Sequence, residues 1–177
     1  MAHLRPEDRT DSYIAIIADV VGSRAVDDRP ALQRRLVALL EGVNREHGGA
    51  LSAPLRLVGG DEFQGLLALP APLIPILVAL EDALHPVQYV AGIGLGGLST
   101  DPGADVGALD GPAFHRAREA LDGVRRGGGW VRFSGWGEGV DPLLTAAASL
   151  TDAVRSRWTP RQREFVRHTR STLQREV

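Results

Sequence analysis

The chain of 177 residues contains no cysteine and no lysine. Without cysteine there are no disulfides, no thiolate metal sites and no thiol nucleophile. Without lysine, all 20 basic residues are arginines, which excludes both a Walker-type phosphate loop and a Schiff-base enzyme. A strong charge of either sign is missing too: the formal net charge of −2 argues against a whole surface that grips nucleic acid or an anionic membrane. The opening stretch "MAHLRPEDRTDS" lacks the apolar core of a signal peptide. The longest apolar run, Leu66 to Leu80, is interrupted by Pro70, Pro72 and Pro75. A cytoplasmic protein with no membrane insertion is expected.

What is present suits one folded domain. Apolar residues make up 44% and charged residues 24%, and the length allows a substantial core. "YIAIIADV" (Tyr13 to Val20) is short, nearly all apolar and β-branched, which predicts a strand covered on both faces, with Asp19 near its end. Turn chemistry in "GSRAVDDR" follows. Leu32, Leu36, Leu39, Leu40 and Val43 then recur at helical spacing from Pro30 to about Asn44. Two short strands, Leu55 to Val58 and Phe63 to Leu69, are joined tightly through Gly-Gly-Asp as a hairpin. Pro72 and Pro75 fit the first turn of a second helix that His85-Pro86 ends near Leu84. "VQYVAGIGLGG" (Val87 to Gly97) supplies a fourth strand, "GPAFHRAREALDGV" a third helix and "WVRFSG" a fifth strand.

The order is βαββαβ with additions, an α/β (α+β) ferredoxin-like or palm layout. The division expected is a flexible N-terminus over residues 1–12, a palm domain over 13–140 and a helical tail over 141–177. From Asp152 onward the tail holds seven arginines against three acids. Thr159-Pro160-Arg161-Gln162 has the form of a capping box, so a helix is expected to begin at Pro160.

In this layout the end of the first strand and the hairpin turn lie at one edge, which brings Asp19 and Asp61 together although 42 residues separate them. Magnesium, or manganese in its place, takes hard oxygen ligands and is held by one or two carboxylates plus substrate phosphates. Asp19 and Asp61, with Glu62 assisting, form a sufficient set for in-line phosphoryl transfer. Gly59 and Gly60 at the turn offer bare backbone to a nucleotide. Val20, Gly22, Ser23 and Arg24 offer N–H groups and a guanidinium to phosphate oxygens. Either aspartate alone reads better as a turn former or a solvated hairpin residue, and it is their conjunction at one edge that points to a site.

On the third helix His115, Arg118, Asp122 and Arg125 share one face. That stripe is either solvated, with Arg118 paired to Asp122, or it turns Arg118 toward a phosphate. "GIGLGG" (Gly92 to Gly97) lies in a strand rather than between strand and helix, so it suits close backbone packing better than a nucleotide loop. The tail helix resembles the opening helix of a helix-turn-helix of the LuxR or sigma-factor type. A DNA partner is therefore expected only if a complete helix-turn-helix follows Val177; the alternatives are a basic helix packed on the domain or used between subunits.

Together, "YIAIIADVVGSR", "LVGGDEFQGLL", "GIGLGGLST" and "DGPAFHRAREAL" resemble the SatD family of bacterial proteins over nearly the whole chain. The resemblance implies a core similar to class III nucleotidyl cyclases and diguanylate cyclases, in which Asp19 and Asp61 match the metal aspartates. Arg118 matches approximately the arginine directed at the triphosphate. It further implies a nucleoside triphosphate or cyclic nucleotide as ligand and, by analogy with the fold, a homodimer. Three functions are then open: a divergent nucleotidyl cyclase or transferase, a non-catalytic nucleotide-sensing transcriptional regulator with a degenerate cyclase domain and a DNA-binding tail, or a purely structural partner domain. The Asn-Asp-x-x-Gly-His segment by which diguanylate cyclases hold guanine has no counterpart in "RPALQRRLVALLEGVNREHGG". Phe114 stands where class III cyclases carry an asparagine. The base pocket is thus left unassigned by the sequence.

Overall fold

The computed structural model describes residues 12–173, without the side chains of Arg24 and residues 170–173. The expected flexible N-terminus therefore lies, up to residue 11, outside the described residues, as do positions 174–177 of the tail.

Five strands form one sheet in the order β2-β3-β1-β4-β5, where β1 is Tyr13–Val20, β2 Leu51–Gly59, β3 Glu62–Ala68, β4 Tyr89–Gly96 and β5 Val131–Ser134. β1 runs antiparallel to both β3 and β4, and β5 joins β4 in parallel. The first four strands thus have the ferredoxin-like arrangement read from the sequence, with β5 as the additional strand. β1 is central and buried on both faces, which is why its sequence is almost continuously apolar. β2 lies at the edge, where Pro54 removes no ladder hydrogen bond that an inner strand would need.

Alternation along β1 divides the core in two. Ile14, Ile16, Ala18 and Val20 face α1 (Arg29–His47) and α2 (Leu73–Leu84), packing with Leu36, Leu40, Ile76 and Leu80. Ala15 and Ile17 face the opposite way, toward α3 (Pro112–Gly127), and meet Ala113, Phe114, Ala117 and Leu121. Phe114 is a core residue there, 5% exposed, and is not placed to contact a ligand.

The glycines of β4 explain how closely α3 lies. A Cβ on Gly92 would sit 1.9 Å from the Ala117 carbonyl oxygen, and one on Gly94 2.1 Å from that of Ala113. "GIGLGG" is a bed for a helix, the packing role its place within a strand indicated.

α1 is capped by Asp28, whose carboxylate accepts the Ala31 N–H at 2.8 Å. α4 (Asp141–Arg155) packs over β5 and supplies Ala148 to the core. α5 (Pro160–Leu173) begins at the expected box: the Gln162 side chain accepts the Thr159 N–H at 2.8 Å, and the Thr159 hydroxyl accepts the Gln162 N–H at 3.3 Å. No helix among the described residues is long and apolar enough to cross a membrane.

Candidate phosphate and metal site at the sheet edge

The register places Asp19 opposite Glu62 on β3 and opposite Val90 on β4. Asp61 lies in the turn that leads into β3, and its carbonyl accepts the Val20 N–H at 3.3 Å. The two aspartates are therefore neighbours at one edge, and both line an open cavity of about 580 Å³. Val20, Gly22, Ser23, Gly59 and Glu62 line the same cavity, with Arg125, Gly128 and Gly129 closing it from α3 and the segment after it. Gly22 adopts φ 71, a left-handed conformation that lets the chain leave β1 sharply and turn Ser23 inward. Ser23 is buried, and its hydroxyl donates to the Asp61 carboxylate.

Each acidic side chain already has a partner. Asp19 and Glu62 lie on the sheet face that α3 crosses, so the guanidiniums on the underside of that helix meet them. Arg125 donates to Asp19 at 2.7 Å. Arg118 grips Glu62 with both terminal nitrogens, one of them at 2.7 Å, in the parallel fork that suits guanidinium and carboxylate. The Arg118 bond holds the Glu62 carboxyl below its ordinary range against the opposing effect of burial, and Glu62 in turn raises Arg118. Glu62 is thereby kept ionised and is a weak base at neutral pH.

Of the residues singled out in the sequence, seven line this cavity, Asp19, Val20, Gly22, Ser23, Gly59, Asp61 and Glu62, while Gly60 lies in the same turn and its carbonyl accepts from the Gln33 side chain. Arg118 stands one step back, on Glu62, rather than paired with Asp122 along its own helix; Asp122 lies 3.6 Å from Arg125 instead. The side chain of Arg24 is outside the described residues. Arg125 is the residue that sequence reasoning passed over. It belonged to the stripe His115, Arg118, Asp122, Arg125, but only the crossing angle of α3 shows that the last arginine of that stripe reaches Asp19.

Among the described residues, no three acidic or histidine side chains are grouped as a ready metal cage. The donor set is two aspartates with one oxygen each committed to Ser23 and Arg125. That chemistry fits a hard cation held by two carboxylates together with phosphate oxygens, and does not fit one held by protein alone.

The βαββαβ sheet with its added fifth strand is a palm-type fold. An EAL/GGDEF domain protein from M. capsulatus shares this fold with a TM-score of 0.50 at 16% identity, over 75% of this chain and 88% of that one. The guanylyl cyclase Cya2 is similar at a TM-score of 0.45 and 13% identity (63% and 69% of the two chains), and a bacterial light-regulated adenylyl cyclase at 0.44 and 13% (70% and 43%). No curated protein matches the chain. The chain belongs to the SatD family, which it matches over residues 13–175.

Proposed function

We propose that this domain binds a nucleoside triphosphate together with magnesium at the sheet edge, as a divergent nucleotidyl cyclase or nucleotidyltransferase of the cytoplasm. The observation that carries this reading is the shared cavity, in which Asp19 and Asp61 stand side by side below a glycine-bordered wall that includes Arg125. Asp19 and Asp61 would hold the cation, and bound magnesium would neutralise phosphate charge and lower the pKa of an attacking hydroxyl. The chain's own contribution is positioning. Ser23 fixes the Asp61 carboxylate. Arg125, released from Asp19, supplies a cation to phosphate oxygens. Glu62, held by Arg118, adds a second negative wall and keeps Arg118 beside the site.

Titration with magnesium and ATP or GTP tests the reading. Asp61→Asn is expected to weaken magnesium-dependent nucleotide binding by about 10-fold or more, the size of losing one charge-assisted ligand. If neither nucleotide binds and Asp61→Asn changes nothing, the proposal fails.

One observation favours a second reading, a nucleotide sensor without turnover. Both guanidiniums on the inner face of α3 are already held by carboxylates, so an incoming phosphate would exchange one ion pair for another without requiring chemistry. Chromatography of the nucleotide after incubation separates the two: an enzyme converts it, a sensor returns it unchanged.

The same proposal includes a homodimer. Val140, Leu143, Ala147, Leu150 and Val154 recur at spacings of three and four on the outward side of α4 and its N-cap, and all are exposed. That spacing would suit the seam of a two-helix packing. An antiparallel second copy would place exposed Glu138 near the partner's exposed Arg157, while a parallel one would set like charges together.

A further inference from the structure

The two arginines on the inner face of α3 are held in different ways. Arg118 closes a two-pronged fork on Glu62, a geometry that fixes a guanidinium in place. Arg125 reaches Asp19 through a single terminal nitrogen at 2.7 Å. The same nitrogen lies 3.8 Å from Glu62, and its other terminal nitrogen lies 3.6 Å from Asp122, three residues back on α3. The Arg125 side chain keeps 38% of its surface in solvent, where an ion pair is weak and a long side chain changes partners at little cost. There is also room for it to move. Gly128 lines the same cavity, and a Cβ added there would meet nothing within 4 Å.

The Arg125 contact matters because of the group it occupies. Asp61 carries the Ser23 hydroxyl on one oxygen, a neutral donor that leaves the carboxylate its charge. Asp19 carries a full positive charge instead. A guanidinium and a divalent cation compete for one carboxylate, and at contact distance they repel each other. A cation arriving alone must therefore displace Arg125, whose other acidic neighbours are Asp122 and a Glu62 already gripped by Arg118. A cation arriving with a polyphosphate brings the anion that Arg125 takes in exchange for Asp19.

We infer that Arg125 is a built-in guard of the cation site: it holds Asp19 against a free divalent cation and yields it only to a cation that comes with polyphosphate. The inference rests on the triphosphate reading above and adds an order to it. Cation and polyphosphate bind with positive coupling, and by linkage each strengthens the other to the same degree. Arg118 takes no part in the exchange, because its fork on Glu62 has two bonds to break rather than one. The site is thereby kept paired while empty and opens only to the complete ligand.

The test uses the full chain and two probes: free manganese, followed by the paramagnetic resonance of the unbound ion, and the preformed manganese–tripolyphosphate complex, followed by calorimetry. Arg125→Gln is expected to tighten free manganese about 5- to 10-fold, by removing a charge in contact with Asp19 at a half-exposed position. The same variant is expected to weaken the complex about 5- to 30-fold, the loss of one charge-assisted contact. On an Asp19→Asn background the gain for free manganese is expected to vanish, since both residues act through one contact. Arg126→Gln removes the same charge from the next, exposed position of α3, outside the cavity lining, and is expected to change neither probe. If Arg125→Gln leaves free manganese binding unaltered, or Arg126→Gln raises it equally, the guard is overturned, while a parent that binds the complex keeps the triphosphate reading. If the parent does not bind the complex, the triphosphate reading falls and this inference with it.

Discussion

Glu62 and Arg118 show how one pair of side chains couples stability to pH. The Arg118 bond lowers the Glu62 carboxyl below its ordinary value of 4.5, and Glu62 is only 20% exposed. A carboxyl whose folded pKa is depressed stabilises the fold above its unfolded pKa, and that contribution is lost as pH falls through the folded value. Arg118→Ala is therefore expected to cost about 1 to 2 kcal/mol at neutral pH, by stranding a half-buried carboxylate. The variant is also expected to flatten the decline in stability below pH 4.5. Urea denaturation over a pH series reads both effects; equal slopes in parent and variant would contradict the pairing. The sequence named both residues but not the bond, because a fork between positions 56 apart depends on the height at which α3 crosses the sheet.

At the scale of elements, the strands and helices were legible because each carries its own period. β1 reads as apolar on both sides, α3 as a stripe, and the box at Thr159 marks the start of α5. Less legible was how α4 is secured. Arg155 is 6% exposed and pairs with Glu81 and with Asp82 at 2.6 Å on α2, while its guanidinium lies 4.7 Å over the Trp158 ring. Nothing in "TDAVRSRW" distinguishes this arginine from its exposed neighbour Arg157, since partners on α2 lie more than 70 residues away. Arg155→Ala removes the arginine that meets both Glu81 and Asp82 in a poorly exposed cluster, with Arg163 still on Glu81, and is expected to destabilise by about 2 kcal/mol. A lowered urea midpoint with unchanged slope would bear this out, and an unchanged midpoint would show that the cluster is solvated.

For the whole molecule, the outward side of α4 is the feature that wants a partner. Leu143 and Leu150 are 70% and 68% exposed, and from Pro142 to Thr151 the helix carries no charge. An exposed heptad seam without charge is costly to leave in water and is self-complementary across a two-fold axis. Leu143→Glu with Leu150→Glu is expected to convert a dimer to a folded monomer in sedimentation, since both side chains lie outside the core. A parent protein that already sediments as a monomer at micromolar concentration would remove the dimer from the proposal.

The sequence by itself determined the order of elements, the palm-type layout and the adjacency of Asp19 and Asp61. Those follow from periodicity, turn chemistry and a topology in which β3 lies between two parallel strands. Tertiary structure alone decided which cations meet those acids: Arg125 on Asp19, Arg118 on Glu62, and Arg155 and Arg163 on α2. It also decided that two cavities share Val21, Val90 and Gly129 in their walls. The difference is physical. Local pattern is set by bonds between near neighbours along the chain, whereas long side chains choose partners only after helices have settled at particular heights and angles over the sheet.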